Sequence, residues 1–352
     1  MTLAVDARSH SKEWLLRIAV ILLVGALGGC SPGDDVVQLT GGSMGTTWHV
    51  TFVPGEATPG SEALQKGIEA LLEQVNLSMS TYRKDSEISR FNDTAPGTWV
   101  DVSAEFIEVL SAALAVGSAS DGAYDVTVGP LVDLWGFGPG KAVQEPPPEE
   151  AIRRLRQQLG QDRLRVDVDR RRVMKLGELE LDFSSIAKGY AVDRIADWMV
   201  QQGMDRFLVE IGGEMRLAGM SGRGDPWRIA IEQPESAGRS VARAISLTDA
   251  AVATSGDYRN FFVKDGRRYS HTIDPRTGYP VAHEMVSVTV VHPSATLADA
   301  WATALTVLGP EAGMAVARDR GLAVYCIMRE GGDFKSRHTP AFEPYLAPAS
   351  GA

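Results

Sequence analysis

A short polar stretch, residues 269–280 with the sequence YSHTIDPRTGYP, places three side chains that could do chemistry close together. His271, Asp274 and Arg276 fall within six positions, and Pro275 and Gly278 interrupt any regular helix or strand. By itself such a stretch is typical of a solvated turn, since its breakers and polar residues need no other explanation. Whether it borders a catalytic site depends on the partners that the rest of the chain supplies.

A second stretch, residues 294–309 with the sequence SATLADAWATALTVLG, predicts a helix that carries a carboxylate and a hydroxyl. Asp299 and Thr303 are four positions apart, so they share one face of that helix. Together they form part of an oxygen site for a hard cation such as Mg²⁺, which completes its octahedron with waters and phosphate oxygens. Taken alone, a buried Asp299 hydrogen-bonded to Thr303 is the favoured alternative.

The stretch at residues 181–199, LDFSSIAKGYAVDRIADWM, indicates an anion site. We predict a strand that ends at Asp182, then Ser184 and Ser185 as caps of a helix whose first turn contains Lys188. A helix N-terminus attracts anions, and a cation in the first turn opposes the helix dipole. The sequence therefore favours a negatively charged ligand at this helix start, with Asp182 free to accept hydrogen bonds from it.

Two glycine-rich stretches could approach a ligand closely. Residues 41–50, GGSMGTTWHV, lack the Gly-Lys-Ser/Thr of a Walker loop, and a glycine-rich hairpin explains them equally well. Residues 121–140 mix glycines and prolines with Tyr124, Trp135 and Phe137 and show no regular period. This second stretch suits a flat heterocyclic ligand or a loop that fills the core, and its composition does not separate the two.

The elements that must position these groups alternate irregularly along the chain. Apolar spacing predicts helices at 61–77, 103–118, 149–159, 187–202 and 295–308. Strand signals occur at 36–53, 164–181, 206–211, 227–231, 252–254, 260–263, 285–291 and 321–328. Many strands form hairpin-like pairs, so the pattern favours an α+β fold with a sizeable antiparallel sheet. The proline-rich residues 141–150 predict a loop, and the number of domains stays open.

The overall composition is that of an ordinary globular protein, with 44% hydrophobic and 23% charged residues. A net charge of −10 argues against general nucleic-acid binding, because neutralising phosphates requires a basic face. A small anionic ligand that arrives with a divalent cation remains compatible with this charge.

The N-terminus predicts an export signal over residues 1–29. Three cations precede an apolar run at 18–28 that is too short to span a bilayer comfortably, and the run leads into LGGC. A cysteine at this place, Cys30, predicts acylation and a lipid anchor, followed by a tether over residues 30–38. An ordinary signal peptide and an uncleaved anchor helix are the alternatives. The second cysteine, Cys326, lies in the apolar run LAVYCIM and is predicted to be a buried strand residue.

Read together, these stretches resemble the FAD:protein FMN transferases, the ApbE family. The matching words are GSMGTTW, STYRKDSEISRFN, YDVTVGPLVDLWGFG, LDFSSIAKGYAVD, EIGGEMR, ATSGDYRNFF, HTIDPRTGYP and ADAWATAL, in that order. The resemblance implies a single α+β flavin transferase domain over residues 39–345, with a largely antiparallel sheet and packed helices. It also implies a lipoprotein on the periplasmic side of the bacterial inner membrane.

The resemblance further implies a reaction and its site. The FMN half of FAD moves onto a threonine hydroxyl of an exported acceptor protein, such as a subunit of a membrane redox complex, and AMP is released. The implied FAD contacts are Met44, Tyr82, Ala123, Tyr124, Asp125, Asp182, Lys188 and Ile273. The implied Mg²⁺ ligands are Asp299, Thr303 and the backbone carbonyl of Ser185. His271 is the candidate base or orienter of the incoming hydroxyl, and Asp274 either holds that imidazole or helps to bind the metal.

Two other functions remain compatible with these residues. An FAD pyrophosphatase would use water as the attacking group in the same metal site and give FMN and AMP. A lipid-anchored, non-catalytic flavin carrier would keep the FAD contacts without needing Asp299, Thr303 or His271.

Overall fold

The computed structural model describes residues 34–138, 145–234, 240–256 and 260–346, and Asp35–Ala352 forms one compact unit. The predicted signal segment and Cys30 lie outside the described residues, as do residues 141–144 of the predicted proline-rich loop. The first strand begins at Val37, two positions before the predicted start of the domain. Within the described ranges, each helix is too short or too polar to cross a bilayer.

The strands pair in antiparallel fashion wherever their register is described, which confirms the predicted largely antiparallel sheet. They are β1 (Val37–Ser43), β2 (Thr46–Phe52), β3 (Val100–Asp101), β4 (Leu164–Asp167), β5 (Arg172–Lys175), β6 (Phe207–Ile211), β7 (Glu214–Ala218), β8 (Trp227–Gln233), β9 (Ser240–Leu247), β10 (Ala250–Gly256), β11 (Phe261–Lys264), β12 (Arg267–Ser270), β13 (Ile273–Asp274), β14 (Tyr279–Pro280), β15 (Met285–His292), β16 (Ala323–Glu330) and β17 (Asp333–His338). The main sheet has eight strands in the order β1-β2-β6-β7-β10-β15-β16-β17.

The helices follow the predicted apolar spacing closely. They are α1 (Ser61–Met79), α2 (Glu87–Asn92), α3 (Ala104–Ala119), α4 (Gly129–Leu134), α5 (Glu149–Arg156), α6 (Ala187–Gln201) and α7 (Ala295–Asp319). Ser103 caps α3, since its side chain accepts a hydrogen bond from the backbone N–H of Phe106. Gly203, which follows α6, has a φ of 78°, which suits a glycine just after a helix.

The core lies on both faces of the main sheet, as the alternation along β16 shows. Cys326 and its alternate neighbours Val324 and Met328 join the larger apolar cluster, which also contains buried residues of α1, α3, α6 and α7. Tyr325 and Ile327 join a second cluster with β8, β9 and Phe342. Burial on both faces explains why the strand reads as a continuous apolar run. Cys326 is fully buried, as predicted.

The segment before α6 differs from the prediction of a strand that ends at Asp182. Residues 179–183 belong to no strand and do not join a sheet. The side-chain amide of Asn92 instead donates to the Leu181 carbonyl at 2.9 Å and accepts from the Leu181 N–H at 2.8 Å. The period of the sequence was that of a strand, but a side chain 89 positions away satisfies the backbone that a neighbouring strand would otherwise pair.

The predicted caps of α6 are also wrong. Ile186 occupies the cap position and makes no side-chain cap bond. The Ser185 hydroxyl donates to the Tyr124 hydroxyl at 3.0 Å, and the Ser184 N–H donates to Asp182 Oδ1 at 2.7 Å. The hydrogen bonds of these two serines therefore run to Tyr124 and Asp182 rather than to the helix end.

Three other segments differ from their predictions. The helix predicted at 295–308 continues to Asp319 through a kink at Gly309, whose φ is 79°. The strand predicted at 321–328 is followed by one more, β17, so it is not the last. The irregular stretch at 121–140 contains α4, a helix of six residues that is too short to show a period. The strands β3, β7, β9, β12, β13 and β14 and the short helix α2 were not predicted.

Candidate functional site

Residues from four of the five chemically suggestive stretches line one cavity of about 390 Å³, and the stretch at 41–50 contributes none of its described lining. Most of the predicted site residues are in its lining, namely Tyr82, Ala123, Tyr124, Asp125, Asp182, Ser185, Lys188, His271, Ile273, Asp299 and Thr303. Their shared location is a finding of the structure, while the role of each residue stays a prediction. The cavity size is in the range of small-molecule sites.

A buried cluster of one cation and two carboxylates forms part of this lining. Lys188 Nζ lies 3.1 Å from Glu214 Oε1 and 3.9 Å from Asp299 Oδ2. The two carboxylate side chains are almost fully buried, at 5% and 7% exposed, whereas Lys188 keeps 28% exposure. Buried charges are stable only when paired, so this cluster is costly to maintain and is a candidate for function.

The carboxylate of Asp299 reaches the start of α6 because two helices approach each other closely. A Cβ atom on Gly189 would overlap the Ala295 carbonyl oxygen and lie 2.9 Å from Asp299 Cβ, so only glycine fits here. Asp299 Oδ2 accepts a hydrogen bond from the Gly189 N–H at 3.1 Å. A carboxylate of the protein itself thus occupies part of the predicted anion-binding helix start.

Burial and mutual repulsion shift the pKa values of this cluster. Burial raises the pKa of Glu214, and the nearby Asp299 raises it further, while Lys188 opposes both. Burial likewise raises the pKa of Asp299 against the effects of Lys188 and the Gly189 N–H. Burial lowers the pKa of Lys188, but the Asp299 and Glu214 carboxylates outweigh it and keep the ammonium charged.

The turn between β6 and β7 aims Glu214 at the cavity. Gly212 and Gly213 have φ values of 61° and 109°, in the region that favours glycine. The Gly213 N–H donates to Glu210 Oε1 at 2.7 Å, which fixes the turn from its other side. A Cβ on Gly212 would lie 2.9 Å from Thr46 Cγ2, so this turn also abuts the β1–β2 hairpin.

The aromatic wall of the cavity is held rigidly from behind. Tyr124 is 2% exposed, and Gln161 Nε2 donates to its backbone carbonyl at 2.9 Å. Burial raises the pKa of the Tyr124 phenol, with an opposing contribution from its hydrogen bond with Ser185. Asp125 Oδ1 accepts from the Thr127 N–H and hydroxyl at 2.8 and 2.7 Å, so this carboxylate also serves its own loop.

The stretch YSHTIDPRTGYP forms an ordered turn at one edge of the cavity. His271 Nδ1 lies 3.1 Å from the Asn260 carbonyl oxygen. The hydrogen bonds of the Asp274 carboxylate run to Arg276, whose Nε and Nη2 each donate at 2.9 Å. The structure therefore does not bring Asp274 to the His271 imidazole, nor into the cavity lining among the described residues, and places it as a brace within the turn.

An aromatic stack supports the turn from below. Rings lie next to one another in the order Phe137, Phe262, Tyr269, Trp135, with centroid distances of 5.7, 5.0 and 5.6 Å. Trp135 Nε1 donates to the Gly278 carbonyl at 2.9 Å. Trp135 thus belongs to the support of the site, whereas Phe137 lines the cavity.

Two predicted FAD contacts lie at the margins. Tyr82 stands at the cavity wall with 71% exposure, which leaves one ring face free to cover a ligand. Burial of part of its ring, together with Asp182 and Asp133, raises the pKa of Tyr82. Met44 occupies the β1–β2 turn with a φ of 52° and packs against the larger core cluster. It is not among the described lining residues.

Sequence reasoning missed Glu214, Thr254, Ser255 and Gly256, which also line the cavity. The word EIGGEMR contains Glu214 and could have signalled it, because a glycine pair that permits a tight turn directly precedes an acidic residue.

The oxygen donors of the cavity fit a divalent cation. Asp299 is buried with its Oδ2 bonded to Gly189, and no hydrogen bond to its Oδ1 is found among the described residues. Thr303 lines the same space one helical turn later. No cluster of three or more acidic, histidine or cysteine ligands occurs in the described part of the chain. A site with one carboxylate suits Mg²⁺, which keeps waters and takes phosphate oxygens.

Comparison with known proteins assigns this arrangement to a family. Residues 44–326 match the model of the ApbE family. The chain is 44% identical over 336 residues to an FAD:protein FMN transferase of Vibrio cholerae, a match that covers 96% of this chain and 99% of the relative. It is 41% identical over 315 residues to the FAD:protein FMN transferase of Escherichia coli K12, covering 89% and 90%.

Solved structures agree with these sequence relatives. The flavin transferase ApbE of Vibrio cholerae superposes with a TM-score of 0.83 at 44% identity, covering 89% of this chain and 99% of the other. The apo form of the Pseudomonas stutzeri flavinyl transferase ApbE gives a TM-score of 0.82 at 41% identity, covering 90% and 98%. The α+β fold predicted from the sequence is confirmed.

Proposed function

This chain belongs to the ApbE family and is a flavin transferase, and we propose that it moves FMN from FAD to a threonine hydroxyl of an exported acceptor protein, with Mg²⁺ and with release of AMP. Its similarity to FAD:protein FMN transferases supports a transferase that uses FAD. The proposed threonine acceptor, the Mg²⁺ ion and the release of AMP rest on the residues that line the cavity.

One observation carries the proposal. Lys188, Asp299 and Thr303, which suit a metal-bound pyrophosphate, line the same cavity as His271, which suits an incoming hydroxyl. Phosphoryl transfer needs charge neutralisation at the phosphates and a positioned nucleophile on the other side of the reacting phosphorus. A carrier would need the flavin contacts alone.

The proposed step forms one bond and breaks one. The threonine oxygen attacks the FMN phosphorus, and the bond from that phosphorus to the bridging oxygen breaks. The bridging oxygen leaves with AMP, and the threonine proton passes to His271 Nε2. Because His271 Nδ1 lies against the Asn260 carbonyl, we infer the tautomer with a proton on Nδ1, in which Nε2 carries no proton and can act as the base.

The other residues bind and orient. A Mg²⁺ ion, held by Asp299, Thr303 and the Ser185 carbonyl, would neutralise charge on the pyrophosphate. Lys188 contributes a second positive charge, because its two carboxylate neighbours keep its ammonium group protonated. Tyr82 and the rigid wall at Tyr124 orient the flavin, and the braced turn fixes Ile273 and His271 relative to it.

The location is part of the proposal. The LGGC sequence supports a lipid anchor at Cys30 and a place on the periplasmic side of the inner membrane. An exported flavin transferase would meet acceptor domains there, such as subunits of membrane redox complexes.

The test combines the purified protein, FAD, Mg²⁺ and a candidate acceptor domain, followed by mass spectrometry of the acceptor. We expect an FMN adduct on threonine and an equal amount of AMP, both lost when EDTA removes the metal. AMP without an adduct would indicate the pyrophosphatase, and retained FAD without AMP would indicate the carrier. An acceptor whose threonine is replaced by alanine serves as the matched control.

A further inference from the structure

Glu214 is a buried acidic residue that the proposed reaction does not use. It is 4% exposed, and its Oε2 has no hydrogen-bond partner within the described residues, although Oε1 is paired with Lys188. A carboxylate kept for stability alone would have both oxygens satisfied, because an unpaired buried acceptor destabilises the folded state. Glu214 is therefore a candidate for a role in the site.

The position of Lys188 between two carboxylates indicates that role. Its ammonium is at hydrogen-bond distance from Glu214 Oε1, 3.1 Å, but at 3.9 Å it is beyond that distance from Asp299 Oδ2. The two acids compete for one cation, and Glu214 holds it. Asp299 keeps its hydrogen bond from Gly189 and has its other oxygen available.

We propose that Glu214 is a positioning residue that holds the Lys188 ammonium off the Asp299 carboxylate and thereby keeps Asp299 available for a divalent cation. This inference rests on the proposed function, since it presumes that Asp299 binds the metal. It goes further than that function, because it names what prevents the lysine and the metal ion from competing for the Asp299 carboxylate.

Loss of the charge on Glu214 would change which carboxylate holds the lysine. Asp299 would then be the remaining carboxylate beside Lys188 in the described cluster, and attraction at low dielectric would draw the ammonium towards it. A lysine hydrogen-bonded to Asp299 would occupy a lone pair and place a positive charge where the divalent cation must enter. Cation affinity would fall even though no predicted metal ligand had changed.

The scaffold is built to maintain the present arrangement. Glu214 follows directly after the turn at Gly212 and Gly213, and a Cβ on Gly212 would lie 3.4 Å from Lys188 Cδ. The stem of Lys188 therefore lies close beside this turn, and its ammonium pairs with Glu214. Asp299 comes from α7, a separate element, so the two carboxylates approach Lys188 from different directions.

The test measures both the geometry and its consequence in the full chain with Glu214→Gln, which keeps the size of the side chain and removes its charge. A crystal structure of the variant should show Lys188 Nζ within about 3 Å of Asp299 Oδ2. Titration with Mn²⁺, followed by electron paramagnetic resonance, should show roughly tenfold weaker binding, in the range of coupling between contacting residues. Glu214→Asp, which restores the charge, should recover most of the affinity.

Controls separate this inference from the proposed function. Glu311→Gln removes another ion-paired glutamate, one exposed at the surface beside Arg337, and should leave Mn²⁺ affinity unchanged. Asp299→Asn identifies the site by abolishing the binding. If the wild-type chain binds no Mn²⁺, both the proposed metal site and this inference are wrong. If it binds Mn²⁺ through Asp299 but Glu214→Gln binds equally well, or Lys188 stays in place, only this inference is wrong.

Discussion

Two buried acidic groups, one in the middle of α6 and one at its start, show how the same chemistry serves different purposes. Asp193 is 9% exposed, and its oxygens accept from the Ser294 hydroxyl, the Ala295 N–H and both the N–H and hydroxyl of Thr296, at 2.7–2.9 Å. It also pairs with Arg216 at 3.1 Å. Asp193 therefore ties the middle of α6 to the first turn of α7.

The cluster at the start of α6 is the opposite case. One oxygen of Glu214 has no partner in the described part of the chain, and Asp299 shares a lysine that lies nearer to another acid. The comparison teaches that burial alone does not identify a functional carboxylate. Incomplete hydrogen bonding is the better indicator, because a group awaiting a ligand must keep bonding capacity that the fold has left unused.

The largest effect that would test this contrast is expected for Asp299→Ala. Loss of the metal ligand should lower the rate of FMN transfer by about 10³-fold, or ~4 kcal/mol, because charge on the pyrophosphate would no longer be neutralised. Stability in urea should change little or rise, since an incompletely paired buried charge is removed. Steady-state transfer assays and urea unfolding measure the two quantities. Asp319→Ala, on an exposed part of the same helix, is the control, and a large loss of stability in Asp299→Ala would abolish the distinction.

The next effect, in stability rather than rate, is expected for Asp193→Ala. Removing a carboxylate with many donors should lower the free energy of unfolding by about 3 kcal/mol, because Arg216 and the start of α7 lose their partner. Urea unfolding measures the change, and FAD affinity at low temperature should be nearly unaffected. Asp197→Ala is the matched control, since Asp197 contacts the same Arg216 at 2.8 Å but is 49% exposed, and such pairs contribute less than about 1 kcal/mol. Equal losses in both variants would contradict the structural role of Asp193.

A smaller effect is expected for His271→Ala. Loss of a proton acceptor should slow transfer by roughly 10²-fold while the equilibrium affinity for FAD stays the same. Single-turnover transfer and fluorescence titration with FAD separate the two. His338→Ala, at an exposed position on β17, is the control. A collapse of FAD affinity in the His271 variant would show that this residue binds the flavin and does not act as a base.

The smallest effect is expected for Tyr82→Ala. This ring is 71% exposed before any ligand covers it, so its loss should weaken FAD binding by about 1 kcal/mol, or roughly fivefold. Tyr82→Phe keeps the ring and should bind FAD normally. A rate effect without an affinity effect would contradict a stacking role.

The sequence predicted those parts of the molecule that depend on local pattern. The face shared by Asp299 and Thr303 follows from the helical period, and the β1–β2 hairpin follows from alternation broken by glycines. Family resemblance added Tyr82, Ala123, Asp125 and Ile273 to the predicted cavity lining. The braced role of Asp274 could not be seen, because His271 and Arg276 are both close to it in sequence and only geometry chooses between them.

Contacts between distant positions account for the remaining errors. The side-chain amide of Asn92 pairs with the backbone of Leu181, 89 positions away, where a neighbouring strand was expected. Asp299 accepts a hydrogen bond at the start of α6 from Gly189, 110 positions away, where capping by local serines was expected. Glu214 becomes notable only when Lys188 is seen beside it. No periodicity encodes such pairs, since each depends on how two elements pack.

The hydrogen bond from Trp135 to the Gly278 carbonyl has a practical consequence. It couples an indole to the backbone of the turn that carries His271, so the emission of Trp135 should respond whenever that turn shifts. Variants that replace the other six tryptophans with phenylalanine would leave one intrinsic fluorophore of this kind in the chain. Stopped-flow fluorescence could then time the arrival of an acceptor at the turn without any attached dye.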